Sequence, residues 1–260
     1  MAADTEPDRT GLVCDSRRWS YGALLRAARG AALDISQSAC SHVALLDESS
    51  EAAAIALFAA AIAGVPYVPL NYRLPNTDLS ALLSRIAPAY VIGDADRIGQ
   101  LSPEGHQSAA GRHVVRAREA FVAQAERLGE SAPGTEDPAE SVAVQIFTSG
   151  TTAAPKAAVL RHANLLSYIL GTVEFGSAVP DEAVLVSVPP YHIAGIAALL
   201  SSIYALRRIV LLPAFEPDDW LALAASERAT NAFLVPTMLS RIITRVDGGA
   251  VADLGALRAV

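Results

Sequence analysis

Thr148 to Lys156 reads TSGTTAAPK and directly follows SVAVQIF, a continuous apolar run from Ser141. Ser149, Gly150, Thr151 and Thr152 set small residues in series, so successive main-chain N–H groups can converge on an anion. Thr148, Ser149, Thr151 and Thr152 add hydroxyl donors for phosphate oxygens. Lys156 adds a mobile positive charge, suited to the charge that builds on a leaving pyrophosphate. The pattern is not the NTPase loop Gly-x-x-x-x-Gly-Lys-Ser/Thr, because Pro155 precedes the lysine and Ala157 follows it. A polar turn between two strands has a similar composition. The lysine and the place at the end of a buried strand point instead to phosphate binding.

A second stretch of interest is PPYHIAGI, from Pro189. Pro189 and Pro190 stiffen the exit from an apolar strand, Tyr191 and His192 project from it, and Gly195 allows a helix to start close against a neighbour. A lone histidine at a strand end is by default a solvated or hydrogen-bonded structural residue. Val235, Pro236 and Met238 follow a third apolar run and can serve either as an apolar wall or as core.

These stretches must be held by the elements around them. Ser20 can cap a helix reaching about Leu33, with Leu24, Leu25 and Ala28 on one face. HVALL from His42 is a short apolar strand. Ser49 or Ser50 caps a helix that stops at Gly64, a left-handed terminator. VPYVPL is a strand, a helix begins at Asn76 or Thr77 and ends before Pro88, and AYVIGD is a strand. From about Arg97 to Glu140 the pattern weakens around one helical island, VVRAREAFVAQAERL. After the phosphate-loop segment come a short strand AAVL, a helix from about Ala163, the strand VLVSV and the helix GIAALLSSIYAL. The strand IVLL, a helix over Trp220–Arg228, the strand AFLVP and a helix over Thr237–Val246 complete the series. Apolar strands separated by amphipathic helices predict an α/β fold with mostly parallel sheets flanked by helices. Ligands gather at the carboxyl ends of such strands, which singles out the loops after Phe147, Val188 and Val235.

The 260 residues are 52% hydrophobic, enough for one large or two modest domains. A formal net charge of −7 with no Lys/Arg-rich run argues against nucleic acid as a partner. Cys14 and Cys40 lack metal spacing and read as buried, reduced thiols of a cytoplasmic protein. The polar, acidic start is unlike a signal peptide, and the longest apolar stretch, from Ala52, is interrupted by Gly64 and Pro66. No integral membrane segment is expected.

IFTSGTTAAPKAAVLRHANL resembles the phosphate-binding signature of the adenylate-forming superfamily: acyl-CoA and aryl-CoA synthetases, peptide-synthetase adenylation domains and luciferases. The usual signature has glycine where this chain has Ala153 and Ala157. RRWSYGALL, the stretch from His42 to Leu83, VSVPPYHIAG and NAFLVPTMLSRII resemble further family segments in order, so the likeness runs from about Arg17 to Val260.

The resemblance, closest to acyl-CoA synthetases, implies two α/β lobes of an incomplete N-terminal domain. Residues 1–41 are an N-terminal segment packing with the second lobe, 42–175 the first lobe with the phosphate loop, and 176–260 the second lobe. The family's adenine and ribose loops, acidic magnesium ligand and small C-terminal domain are expected beyond Val260, so residues 1–260 alone are expected not to turn over.

The implied reaction joins a carboxylic acid, read as a fatty acid, to ATP, then passes the acyl group to coenzyme A. Thr148, Ser149, Gly150, Thr151, Thr152 and Lys156 would hold the β- and γ-phosphates, and Thr148 would help hold Mg2+. Lys156 and His192 would be the catalytic residues. Tyr191, His192, Gly195, Val235 and Pro236 would line the acyl pocket. Amino-acid-activating relatives usually place an Asp near His192 to hold an ammonium; no acid stands there, so a non-amino acid fits better. A fatty acyl-AMP ligase, an aryl-CoA ligase and a non-catalytic binding module remain alternatives, and a homodimer stays open.

Overall fold

The structure, a computed structural model, describes residues 1–101, 113–129, 141–148 and 155–260. Two compact units emerge: Met1–Gly22 with Ser49–Glu51 and Ile169–Val260, and Ala23–Glu48 with Ala52–Tyr168. Each is built on its own sheet.

In the second of these units the strands are β3 (His42–Leu46), β4 (Tyr67–Pro69), β5 (Ala89–Gly93), β6 (Val114–Ala117), β7 (Val142–Thr148) and β8 (Lys156–Arg161). Their order is β6-β5-β3-β4-β7-β8, with β8 antiparallel to β7 and the other pairs parallel. β5 is buried throughout and β3 over its last four residues, as a parallel strand covered on both faces must be. Helix α3 (Glu51–Ala63) ends as its sequence predicts: Gly64 has φ +72, and the Val65 amide returns to the Ala60 carbonyl at 3.0 Å. α4 (Asn76–Arg85) lays Leu79, Leu82 and Leu83 on Val68, Leu70 and Val91, with Phe147 packed against the same cluster. α5 (Ala95–Leu101) carries Arg97, whose guanidinium donates to the Tyr72 carbonyl at 3.0 Å and to the Leu74 carbonyl.

The island VVRAREAFVAQAERL is a correction. Its first residues form the edge strand β6, in register with β5 at Tyr90↔Val114 and Gly93↔Ala117. Helix α6 begins only at Arg118 and runs to Gly129. Two adjacent β-branched residues beside an open sheet edge favour pairing over helix.

The other unit holds β1 (Thr10–Cys14), β2 (Arg17–Ser20), β9 (Ala183–Val186), β10 (Arg208–Leu211) and β11 (Asn231–Phe233), in the order β11-β9-β10-β1-β2. The N-terminal β1–β2 hairpin had no counterpart among the sequence expectations. It places β1 parallel to β10 and β2 as an antiparallel edge. Helix α1 (Ala2–Thr5) precedes it, and α2 (Tyr21–Gln37) follows directly, lying with the six-stranded unit from Ala23 onward. α7 (His162–Thr172), α8 (Ile193–Tyr204), α9 (Pro217–Ser226) and α10 (Pro236–Asp247) complete the series. Trp220 and Leu221 of α9 and Ile242 of α10 pack on Ala183, Leu185 and Val210. AFLVP is strand only to Phe233; the Ala232 amide donates to the Ala259 carbonyl at 2.9 Å, so the outer side of β11 is met by residues near Val260.

Cys14 and Cys40 are both free and buried. Burial first, then Glu51 and Asp15, push the Cys14 thiol up to about 12, so it stays a neutral packing group. Among the described residues no helix is long and apolar enough to cross a membrane.

Two histidines couple the six-stranded unit to pH. His42 opens β3, and His113 Nδ1 accepts the Ala89 amide at 3.1 Å. Desolvation lowers both pKa values below the ordinary 6.5. The unfolded chain therefore takes up these protons first, and the native state loses stability as pH falls from about 6.5 through the folded values. The urea midpoint is expected to drop between pH 7.5 and 5.5, and His113→Gln, which cannot titrate, should shrink that drop. An equal drop in the variant would remove His113 as a source.

Candidate functional site

Strand β7 is the last but one in the sheet, with Tyr67 of β4 opposite Val144 on one side and β8 on the other. β8 turns straight back along it, with Phe147↔Ala157 and Thr148↔Lys156 the last two pairs before the connecting segment. Thr148 and Lys156 thus form the neck from which residues 149–155 depart. Directly opposed residues in an antiparallel pair share a face, with Cβ atoms about 4.5–5.5 Å apart. The neck is closed by the Thr148 hydroxyl, which donates to the Lys156 carbonyl at 3.3 Å. Both side chains are exposed, so a lysine charge and a threonine hydroxyl stand together at the mouth of the segment.

Ser149, Gly150, Thr151 and Thr152, with Ala153, lie outside the described residues. Ala157 lies within them and is an ordinary strand residue: among the described residues, the non-glycine ones with positive φ are Asp15, Ala39, Leu206 and Arg228. An alanine at 157 therefore carries no backbone strain. Among the described residues no group of three or more His, Cys, Asp or Glu could hold a metal ion. Thr148 supplies one neutral oxygen, too little for a hard dication. The described residues do not make a magnesium site.

In the five-stranded unit, β9 leads into Pro189–His192. The His192 amide donates to the Pro189 carbonyl at 3.1 Å, closing a turn, and His192 then stands at the N-cap of α8 with φ −98 and ψ 140. Its side chain makes no capping bond; the ring is exposed and tilted 49° to Tyr191 at a centroid distance of 4.6 Å. A Cβ on Gly195 would come within 3.2 Å of the Pro189 carbonyl oxygen, so the small residue lets α8 start tight against its own entry turn. β11 is the neighbour of β9, and its carboxyl end brings Val235 and Pro236 to the same end of the sheet. Val235 is 37% exposed and Pro236 is also exposed, so neither belongs to the core. Phe233 and Ile193 are likewise exposed, at 39% and 45%. The sequence singled out Ile193 only as a neighbour of His192 and did not single out Phe233, which reads as an interior residue of AFLVP but is the exposed last residue of β11.

A family model, described as AMP-binding enzyme, matches residues 1–260, and the chain belongs to that family. Similar curated proteins include an indoleacetate–CoA ligase from Aromatoleum aromaticum, 27% identical over 99% of this chain and 52% of the relative. A feruloyl-CoA synthase from Amycolatopsis sp. is 28% identical over 84% of this chain and 43% of the relative. The chain spans about half the length of the curated relatives it matches. The inhibitor-bound N-terminal domain of FACL13 from Mycobacterium tuberculosis superposes with a TM-score of 0.85 at 21% identity, over 98% of this chain and 66% of that one, a likeness of fold.

Proposed function

We propose that the chain carries the phosphate-binding and acyl-binding parts of an ATP-dependent ligase that activates a non-amino carboxylic acid and passes it to coenzyme A. The observation that carries this reading is the β7–β8 neck, which sets Thr148 and Lys156 on one face at the mouth of a Ser/Thr/Gly segment. In the first half-reaction a carboxylate oxygen forms a bond to the α-phosphorus of ATP while the bond from that phosphorus to the bridging oxygen breaks. The pyrophosphate that leaves accumulates charge, which Lys156 offsets and the hydroxyls of Thr148, Ser149, Thr151 and Thr152 and the amides around Gly150 orient. In the second half-reaction the thiol of coenzyme A loses its proton to solvent, the sulfur bonds to the acyl carbon, and the bond from that carbon to the phosphate oxygen breaks as AMP leaves.

The acid is a fatty or an aryl one. His192 sits among Tyr191, Ile193 and Ala194, with no carboxylate beside it in sequence to hold an ammonium, and Val235 and Pro236 offer apolar surface. The aryl alternative gains from relatives whose names specify indoleacetate and ferulate. Pyrophosphate exchange into ATP by the whole protein tests the reading, with panels of fatty, aryl and amino acids. Exchange driven by fatty or aryl acids is expected; exchange driven by amino acids, or independent of any acid, would overturn it.

His192→Ala is expected to lower kcat/KM for the acid about 10-fold while the Kd for MgATP stays within twofold. A collapse of nucleotide affinity with acid selectivity intact would move His192 to the wrong side of the chemistry.

A further inference from the structure

We infer that Arg85 is a positioning residue for the phosphate loop, gripping both strands of the β7–β8 neck from the face opposite Lys156. The inference rests on the proposed phosphate-binding role of residues 148–156.

Arg85 is the last residue of α4, the helix whose leucines fix it to the sheet. Its guanidinium carbon lies 4.8 Å from the centroid of the Phe147 ring, on β7. Its Nη1 donates to the Pro155 carbonyl at 2.5 Å, on the β8 side. Phe147 immediately precedes Thr148, and Pro155 immediately precedes Lys156. One planar group therefore touches both arms of the hairpin, each contact one residue from the Thr148–Lys156 pair.

Strand side chains alternate between faces. Phe147 packs toward α4 with the cluster of Leu79, Leu82 and Leu83, so Thr148 and its partner Lys156 project from the other face. That geometry removes Arg85 from the phosphate side and makes its effect indirect. β8 needs such a grip: it is an edge strand, mostly exposed, with the Thr148–Lys156 pair as its last registered contact. An arginine can stack on a ring and donate in its own plane at once, whereas a lysine can offer only a point donor.

The test compares Arg85→Ala and Arg85→Lys with the unsubstituted whole protein. Amide hydrogen exchange is read without ligand, and binding of magnesium pyrophosphate is read by calorimetry. In Arg85→Ala, exchange over residues 145–148 and 156–159 is expected to rise about 10-fold, with β3 and β5 unchanged, and pyrophosphate affinity to fall about 5- to 10-fold. Arg85→Lys should fall between the two. Unchanged exchange at the neck overturns the inference. So does exchange raised evenly across the sheet, which would mark Arg85 as a general stabiliser, and so does raised exchange with unaltered affinity. If the unsubstituted whole protein does not bind pyrophosphate, the phosphate-loop reading itself fails, and that result is visible before any substitution is made.

Discussion

Lys156→Ala is expected to slow carboxylate-dependent adenylation by the whole protein about 10²-fold, the scale of losing one preorganised electrostatic stabiliser. The loss should fall on kcat and kcat/KM together, because the charge it offsets grows as pyrophosphate departs and is smaller in bound ATP. A substitution that acted through ground-state binding would raise KM and spare kcat. The fold should barely notice. Lys156 is exposed on an edge strand, and it holds the neck through main chain: the pairing with Thr148, and the carbonyl that accepts the Thr148 hydroxyl. Alanine keeps all of these, so thermal unfolding should shift by no more than about 2 °C. Activity within twofold of the parent would sink the assignment of Lys156 to phosphate, whatever the stability result.

Gly30→Ala carries the largest expected effect on stability, and its sign runs against helix propensity. Gly30 lies inside α2, where alanine ordinarily gains about 1 kcal/mol over glycine. A Cβ there would sit 2.1 Å from the Ala125 carbonyl oxygen and 2.4 Å from the Gly129 amide nitrogen, both on α6. The approach is mutual, since a Cβ on Gly129 would lie 2.3 Å from the Arg26 carbonyl oxygen on α2. These neighbours are main-chain atoms of two packed helices and cannot rotate away. The helices must separate and loosen the buried side chains Ala27, Phe121, Val122 and Ala125. Overpacking of this kind dominates, for a net loss of about 3 kcal/mol. Gly171→Ala in α7, where an added Cβ meets nothing within 4 Å, should be neutral or slightly stabilising. Urea unfolding of both variants checks the pair; an unchanged midpoint for Gly30→Ala would show that α2 and α6 do not approach this closely.

The order of elements was legible in the sequence because parallel strands covered on both faces must be continuous apolar runs. HVALL and AYVIG needed no partner to be recognised, and VLVSV located a strand whose observed bounds are Ala183–Val186. Gly64 ended α3 for an equally local reason: a left-handed residue needs no Cβ. The chemistry of the phosphate segment was legible because its residues are contiguous, so small size, hydroxyls and a lysine appear together in one reading frame. What the sequence did not contain is pairing. Val114–Ala117 has the local look of a helix start and becomes a strand because β5 presents an unfilled edge. The β1–β2 hairpin gains its place from β10, far along the chain. Likewise, nothing near Arg85 in sequence announces Phe147 or Pro155, and nothing near Gly30 announces Gly129. Local propensity and composition act over a few residues and are written along the chain. Register, face and close approach depend on which distant segments supply hydrogen bonds and volume, and those are set only when the tertiary structure forms.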